Sequence, residues 1–525
     1  MAVILHLVDA LAALLLVIIA RSFRASQLFA RRRRGHPLPP GPRPLPLLGN
    51  FLDVPKKHGW ATFREWGKQY SSDIVYVEMM GQTIVVLNTP KAINDLFDKR
   101  SSIYSDRPTF YALKHILNLS WVTGTSQYGP IWRKHRKGLA LSLNPTAMLQ
   151  YQPVEAKATH RLLRHLLDTP NDYTQHIRHM AGQISLSISY GLDVKPRDDP
   201  YVEMAERGLH ALFLGSQLRG QVFDMIPFLR YMPWWFPGAG LKKEGREYAA
   251  GAAAMLDVPF AVTESLVVQG SAPPSVAATM IAEQNSLPLS DRDVFTSKAV
   301  PANIYFGGAD SLVAILSIFL LAMVLNPEAQ KKAQEELDAV LLGSRLPEFE
   351  DEASLPYVGA LVKEVFRWHP GAPLGVPRRL TRDDVYEGYF IPEGSVVMAN
   401  IWAILHDETA FPDPYKFEPE RYLGSNAAAT FPDAVFGFGR RACPGRYMAH
   451  ASLWIAIASI LATFEICPAV DEQGRELEAT EDFASGIIGY PTALRCILRP
   501  RSSAAESLVL ATKSEDAFDG GGGDT

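Results

Sequence analysis

The stretch Phe436-Gly-Phe-Gly-Arg-Arg-Ala-Cys-Pro-Gly445 places one cysteine, Cys443, in a glycine-rich loop just ahead of an apolar helical run, Met448 to Ala462. A thiolate binds a soft or redox-active metal, and it stays ionised where its pKa is lowered. Arg440 and Arg441 bring positive charge to the loop, and the helix start brings backbone N–H donors. Gly437, Gly439 and Gly445 carry no Cβ, which leaves room for a flat ligand against the backbone. Axial cysteine ligation of a haem iron fits this arrangement, because thiolate donation favours O–O cleavage. A lone cysteine between glycines would read as a structural cysteine beside a helix cap; the complete string carries more.

Position by position, Phe436, Gly439, Arg441, Cys443 and Gly445 match the haem-binding signature of the cytochrome P-450 family of haem-thiolate monooxygenases. The chain resembles that family over nearly all of residues 39–500. The resemblance implies heme b with Cys443 as its axial iron ligand, in a mainly α fold with a minor β region.

Leu361-Val-Lys-Glu-Val-Phe-Arg-Trp368 reads as a helix with Glu364 and Arg367 on one face. Alone, such a pair is a surface salt bridge of little consequence. The segment Phe417-Glu-Pro-Glu-Arg-Tyr422 downstream supplies Arg421. The resemblance implies a buried Glu364–Arg367–Arg421 network with a structural role, in which the three charges satisfy one another.

Asn303-Ile-Tyr-Phe-Gly-Gly-Ala-Asp-Ser-Leu312 opens an apolar helix running to Leu325. Two adjacent glycines inside a helix cost about 1 kcal/mol each relative to alanine. Close approach of a ligand, or a local widening of the helix, would account for them. Asp310 and Ser311 suit proton delivery to a metal-bound oxygen. The family usually has threonine where this chain has Ser311; the hydroxyl remains but its rotamer is less restricted, which touches coupling more than activity.

Haem carries two propionates, so basic partners are expected. Trp132 and Arg136, four residues apart in Tyr128-Gly-Pro-Ile-Trp-Arg-Lys-His-Arg136, read alone as an amphipathic helix. The resemblance makes them propionate partners, together with Arg441 and Arg378.

Composition agrees. Hydrophobic residues make up 47% of the 525-residue chain, ample for a large core. No linker or internal repeat divides residues 39–500. A net charge of −4 gives no sign of nucleic-acid binding, and three cysteines exclude a disulfide framework. Thr381 to Asn400 reads as a small β region with a Pro-Glu-Gly turn. Val3 to Ala20 is an apolar stretch of bilayer length, followed by Arg21, Arg24 and the run Arg31 to Arg34. Residues 3–20 are therefore expected to be a single transmembrane anchor that leaves the bulk of the chain in the cytosol, on the endoplasmic reticulum. A cleaved signal peptide fits less well, for want of a basic leading region. Residues 21–38 read as a basic juxtamembrane linker, Pro37 to Pro46 as a stiff connector, and residues 501–525 as a disordered tail.

The expected function is insertion of one oxygen atom from dioxygen into a lipophilic small molecule. No flavin or dinucleotide fingerprint is present, so electrons are expected from an NADPH-dependent flavoprotein reductase. Arg133, Lys134, Lys137 and Arg440 would form its basic docking face. Phe306, Ala372-Pro-Leu374 and Ile487-Ile488 are candidate substrate contacts. The Pro233-Trp-Trp-Phe-Pro-Gly238 run and Asp384-Val-Tyr-Glu-Gly-Tyr-Phe-Ile-Pro392 resemble fungal members of the family from secondary metabolism, which implies a terpenoid, polyketide or alkaloid-like substrate. Two rivals are a haem-thiolate isomerase or dehydratase needing no reductase, and a non-enzymatic haem-binding protein.

Overall fold

In the computed structural model, the described residues are 27–514 apart from 28, 30, 47, 196–198, 217, 237–239 and 425–431. The expected anchor at 3–20 lies outside them. In chain order, the elements that matter here begin with β1 (Ile74–Met79) and β2 (Gln82–Leu87). Five helices follow: α1 (Pro130–Ser142), α2 (Gln152–Asp168), α3 (Tyr173–Tyr190), α4 (Pro200–Ser216) and α5 (Leu241–Gln269). Next come α6 (Val294–Leu325), α7 (Pro327–Leu341) and α8 (Pro356–Trp368), then the short strands β3 (Arg378–Arg379), β4 (Asp384–Tyr386), β5 (Tyr389–Ile391) and β6 (Val396–Ala399). The chain closes with α9 (Arg446–Thr463), β7 (Phe464–Pro468), β8 (Cys496–Pro500) and α10 (Ser503–Ala511).

Helix α6 organises the rest. It begins where the Asp293 side chain accepts from the Thr296 backbone N–H, ahead of the stretch that the sequence marks as helical. Its residues enter two apolar clusters at once. One is built with α2, α3, α7, α8 and α9, the other with α4, α5 and residues 112–122. By length and composition α5 and α6 would each span a bilayer, but 78% of the apolar window of α6 is buried within the protein, so it is a core helix.

The sheet runs β1-β2-β6-β3. β1 and β2 form an antiparallel hairpin whose turn places Met80 and Gly81 at positive φ. β2 pairs in parallel with β6, Ile84 opposite Val396 and Leu87 opposite Ala399, and Arg378 of β3 lies opposite Val397. The β region expected between Thr381 and Asn400 is thus present as β4, β5 and β6.

The basic arm ahead of this sheet docks on the β4–β5 hairpin. Arg32 Nε donates to Asp383 at 2.8 Å, the Phe29 ring meets Phe390 edge-on, and Phe390 N–H donates to Pro37 O at 2.7 Å. Further along, Tyr76 N–H donates to Pro40 O at 2.8 Å, so the proline-rich connector is stitched to β1.

One expectation is corrected. The disorder read from residue 501 onward does not hold for Ser503–Ala511, which is helix α10. Ser502 caps it by accepting from the Ala505 N–H, Val509 is buried, and Arg164 of α2 donates to the carbonyl of Thr512 at 3.0 Å. A polar, small-residue composition conceals one apolar stripe and a good cap. Residues 515–525 lie outside the described ones.

Candidate active site

The Cys443 loop is shaped by a short turn, Gly439–Arg441, and by the start of α9. Cys443 N–H donates to Phe436 O at 2.7 Å, which folds the loop back on itself. Gly439 sits at φ 51°, and a Cβ there would fall 2.4 Å from Phe97 O, so only glycine fits.

The Cys443 side chain borders accessible space although it lies deep within the protein. Burial raises the thiol pKa. The Gly445 backbone N–H and the guanidinium groups of Arg136 and Arg446 act in the opposite direction. The sequence assigned that charge to Arg440 and Arg441, and the structure corrects it. Arg440 is exposed and donates to the Tyr128 hydroxyl at 2.7 Å. Arg441 turns away to the carbonyls of Ser105 and Ser126, each at 2.8 Å. The loop alone therefore does not make a low-pKa thiol; a coordinated metal ion removes such a proton outright.

Helix α1 lies beside this loop. Arg136 Nη1 donates to Ala442 O at 2.6 Å. Trp132 is buried, with the Arg441 guanidinium 4.4 Å from its ring centre and Tyr128 packed beside it. Arg378 is buried, lies 3.8 Å from the centre of the Phe97 ring, and donates through Nη2 to Phe438 O at 2.6 Å. Its Nη1 is buried without a partner.

Arg107 joins this group and was not singled out from the sequence. It is buried and donates to the carbonyls of Gly124, Val376 and Pro377 at 2.6–2.8 Å. Burial, then repulsion from Arg441 and Arg378, holds its pKa well below the usual value. Arg378 is pushed down to about 9 by burial and by Arg441. Arg441 falls to about 10, chiefly through burial. Arg107 and Arg378, both buried, and the half-buried Arg441 meet mainly backbone carbonyls and form a site short of negative charge. A group with two carboxylates would relieve it, so these residues fit a haem with its propionates.

On α6, Gly307 and Gly308 serve different ends. A Cβ on Gly308 would fall 2.2 Å from Ser185 Oγ of α3, so this glycine permits a close helix crossing. A Cβ on Gly307 would meet nothing within 4 Å, and Gly307 and Ser311 are both exposed on this core helix. Ser311 Oγ donates to Gly307 O at 2.8 Å. The Asp310 carboxyl does not join it: its Oδ1 accepts from the hydroxyl of Tyr490. Burial raises the Asp310 pKa, while that bond and Arg178 lower it. Phe306 is buried edge-on against Trp121, and Ala372, Leu374, Ile487 and Ile488 are half-buried.

The structure brings Glu364, Arg367 and Arg421 together. Arg367 Nε and Nη2 donate to the two Glu364 oxygens at 2.7 and 2.8 Å, and Arg421 Nε donates to Glu364 Oε1 at 3.1 Å. Arg367 also reaches the carbonyls of Leu405 and Pro414, and Glu418 N–H donates to Glu364. Glu364 and Arg367 are completely buried.

A cysteine in a glycine-rich turn, bordered by under-neutralised arginines, is the makings of a haem-thiolate centre. The family model for cytochrome P-450 matches residues 39–490, and the chain belongs to that family, whose members hold haem through a cysteine. Known relatives match along almost the full length. The chain is 39% identical to cytochrome P-450 monooxygenase ple1 of Rhodocybe pseudopiperita, covering 92% of this chain and 93% of that one. It is 41% identical to the monooxygenase eriA of Hericium erinaceus, over 90% of each. It is 39% identical to tryptamine 4-monooxygenase of Psilocybe cyanescens, over 90% of this chain and 95% of the other. The chain is an oxidoreductase of the monooxygenase class, which disfavours the isomerase and the non-enzymatic readings.

Proposed function

We propose that this chain inserts one oxygen atom from dioxygen into a lipophilic fungal secondary metabolite, and that Cys443 would hold its haem through the iron. The observation that carries the reading is the cluster of Arg107, Arg378 and Arg441 beside the Cys443 loop, in which the buried Arg378 Nη1 has no partner. Arg107, Arg378 and Arg441, with Trp132 and Arg136 of α1, would hold the propionates. When bound, the haem supplies the redox centre at which dioxygen is activated.

The chain's own residues do the rest. Gly307 keeps the face of α6 open to a bound molecule. Ser311, anchored on the Gly307 carbonyl, presents its hydroxyl oxygen to the interior, and Asp310 supplies the proton from the neighbouring position. Glu364, Arg367 and Arg421 hold the segments around residues 405–421 in place. Phe306, Ala372, Leu374, Ile487 and Ile488 give the substrate apolar contact. The substrate class is a terpenoid, a polyketide or an alkaloid-like molecule.

Electrons would come from an NADPH-dependent flavoprotein reductase. Arg133, Lys134, Lys137 and Arg440 are exposed around α1 and the Cys443 loop, a basic face suited to an acidic partner. Residues 3–20 would anchor the domain, spanning 39–500, to the endoplasmic reticulum with its bulk in the cytosol. Exposed Phe228, Tyr231, Trp234 and Trp235 support contact with the bilayer surface.

The test uses membranes containing the haem-loaded protein, a matched reductase, NADPH and isotopically labelled dioxygen. Terpenoid, aromatic and fatty-acid substrates are offered in turn, and product mass is read. One labelled oxygen in a product is the expected result. A rearranged product formed without NADPH would instead decide for an isomerase.

A further inference from the structure

We propose that Tyr490 is a positioning residue for proton delivery: its phenolic O–H holds the Asp310 carboxyl and ties the C-terminal loop into the chemistry of α6. The inference rests on the reading of Asp310 as proton donor given above. Tyr490 O–H donates to Asp310 Oδ1 and lies 3.3 Å from the Asp310 backbone oxygen, so the phenol grips one residue at two points.

The loop that delivers it is braced. Ala484 N–H donates to Tyr490 O at 2.8 Å, and Thr492 N–H donates to Asp482 O at 2.9 Å. Gly489 N–H donates to Gly371 O at 2.9 Å, and the Phe483 ring stacks on His369 with centroids 3.4 Å apart. A Cβ on Gly489 would come within 3.1 Å of the same His369 ring, so the backbone beside Tyr490 is pressed against the end of α8. Tyr490 is thus presented by a fixed frame.

Two titratable groups face the carboxyl. Tyr490 comes from the loop, and Arg178 comes from α3, itself 3.3 Å from Glu206 of α4. Burial drives the carboxyl toward its protonated form, and both neighbours drive it back. Burial and the same carboxyl raise the Tyr490 pKa far above its ordinary value, so the phenol keeps its proton and acts as a donor, not as a source. With Oδ1 held, Oδ2 is the oxygen that exchanges a proton with the interior. Tyr490 therefore sets both the direction in which Asp310 points and the pH at which it is charged.

The test compares haem-loaded wild type, Tyr490→Phe and Asp310→Asn with a matched reductase and NADPH. It reads hydrogen peroxide released per NADPH consumed across pH. A second measurement, independent of turnover, is the carboxyl C=O band isolated by infrared difference spectroscopy against Asp310→Asn. Tyr490→Phe should move the pH inflection and the band's titration midpoint upward by roughly one pH unit. It should also shift the band to higher wavenumber and raise peroxide release several-fold. Asp310→Asn should lose the inflection altogether.

If Tyr490→Phe keeps the wild-type inflection and band while Asp310→Asn is altered, the role of Tyr490 fails and that of Asp310 stands. If Asp310→Asn matches wild type, the reading of Asp310 fails and takes this proposal with it. Should Tyr490→Phe not fold, a fluorinated tyrosine at position 490 keeps the shape and strengthens donation. It should then move the midpoint downward, and an unmoved midpoint would overturn the proposal.

Discussion

The molecule buries arginines in two ways. Arg367 lies completely inside, yet a carboxylate takes two of its nitrogens and backbone carbonyls take the third. Arg107, Arg378 and Arg441 are set in the protein with carbonyls for partners, and one Arg378 nitrogen meets nothing. In the first cluster the chain supplies its own counter-charge, and the cluster is scaffold. In the second, among the described residues, no carboxylate hydrogen-bonds a guanidinium, Asp98 and Asp106 acting only through their fields, and the shortfall describes the ligand. One residue type thus carries opposite meanings, set by whether an acid stands within reach.

The largest test of that contrast removes Arg367. Arg367→Met leaves Glu364 buried with Arg421 as its one cation and the Glu418 N–H as its other partner, a loss of about 3–5 kcal/mol. Urea unfolding should show protein that is largely unfolded or fails to accumulate, whether or not haem is supplied. Next in size is Arg378→Met, which should leave the apoprotein as stable as wild type or more so. Haem titration should show affinity roughly 10–100-fold weaker, the worth of one charge-assisted hydrogen bond. Equal destabilisation of apoprotein and holoprotein would erase the distinction between the two clusters.

Glu155 offers a third arrangement, an acid buried without a cation. It accepts from Ser452 Oγ at 2.7 Å, its Oε2 has no partner, and burial raises its pKa to about 8. The folded state therefore binds the proton more tightly than the unfolded chain does. Stability from this group is full below the unfolded pKa and is lost as pH rises toward 8, with a slope of at most about 1.4 kcal/mol per pH unit. Glu155→Gln should flatten that slope in urea unfolding between pH 5 and pH 8; an unchanged slope would show that Glu155 is not its source. The smallest effect belongs to an exposed pair, Lys134–Asp293 at 2.6 Å. Lys134→Ala should change stability by less than about 0.5 kcal/mol, while lowering the salt-sensitive rate of electron delivery from the reductase.

Much of the scaffold was legible because it is written in local strings. The Cys443 loop, the Glu364–Arg367 spacing and the apolar run of α6 each lie in one segment. What escaped depends on pairs far apart in the chain. Arg107 gains meaning only when Arg378 and Arg441 close around it, across some 270 and 330 residues. Tyr490 is one aromatic in a largely apolar loop until the fold brings it to Asp310. The error at Arg440 and Arg441 has the same origin: nearness in sequence put their charge beside Cys443, whereas the fold turns both side chains elsewhere and brings Arg136 in from α1. Helix α10 was missed for a different reason, since nine residues hold too little pattern to outweigh their composition.

The parallel pairing of β2 with β6 has a consequence in time. Its two strands are separated by roughly 300 residues, which a ribosome adds at about 5–20 per second. For tens of seconds after Gln82–Leu87 emerges, its outer edge has β1 on one side and nothing of its own chain on the other. That edge carries Ile84, Val85, Val86 and Leu87, the composition that invites pairing with a stranger. Completion of the sheet must wait for the last third of synthesis, so the nascent chain passes through a long window in which chaperones, not its own fold, keep it single.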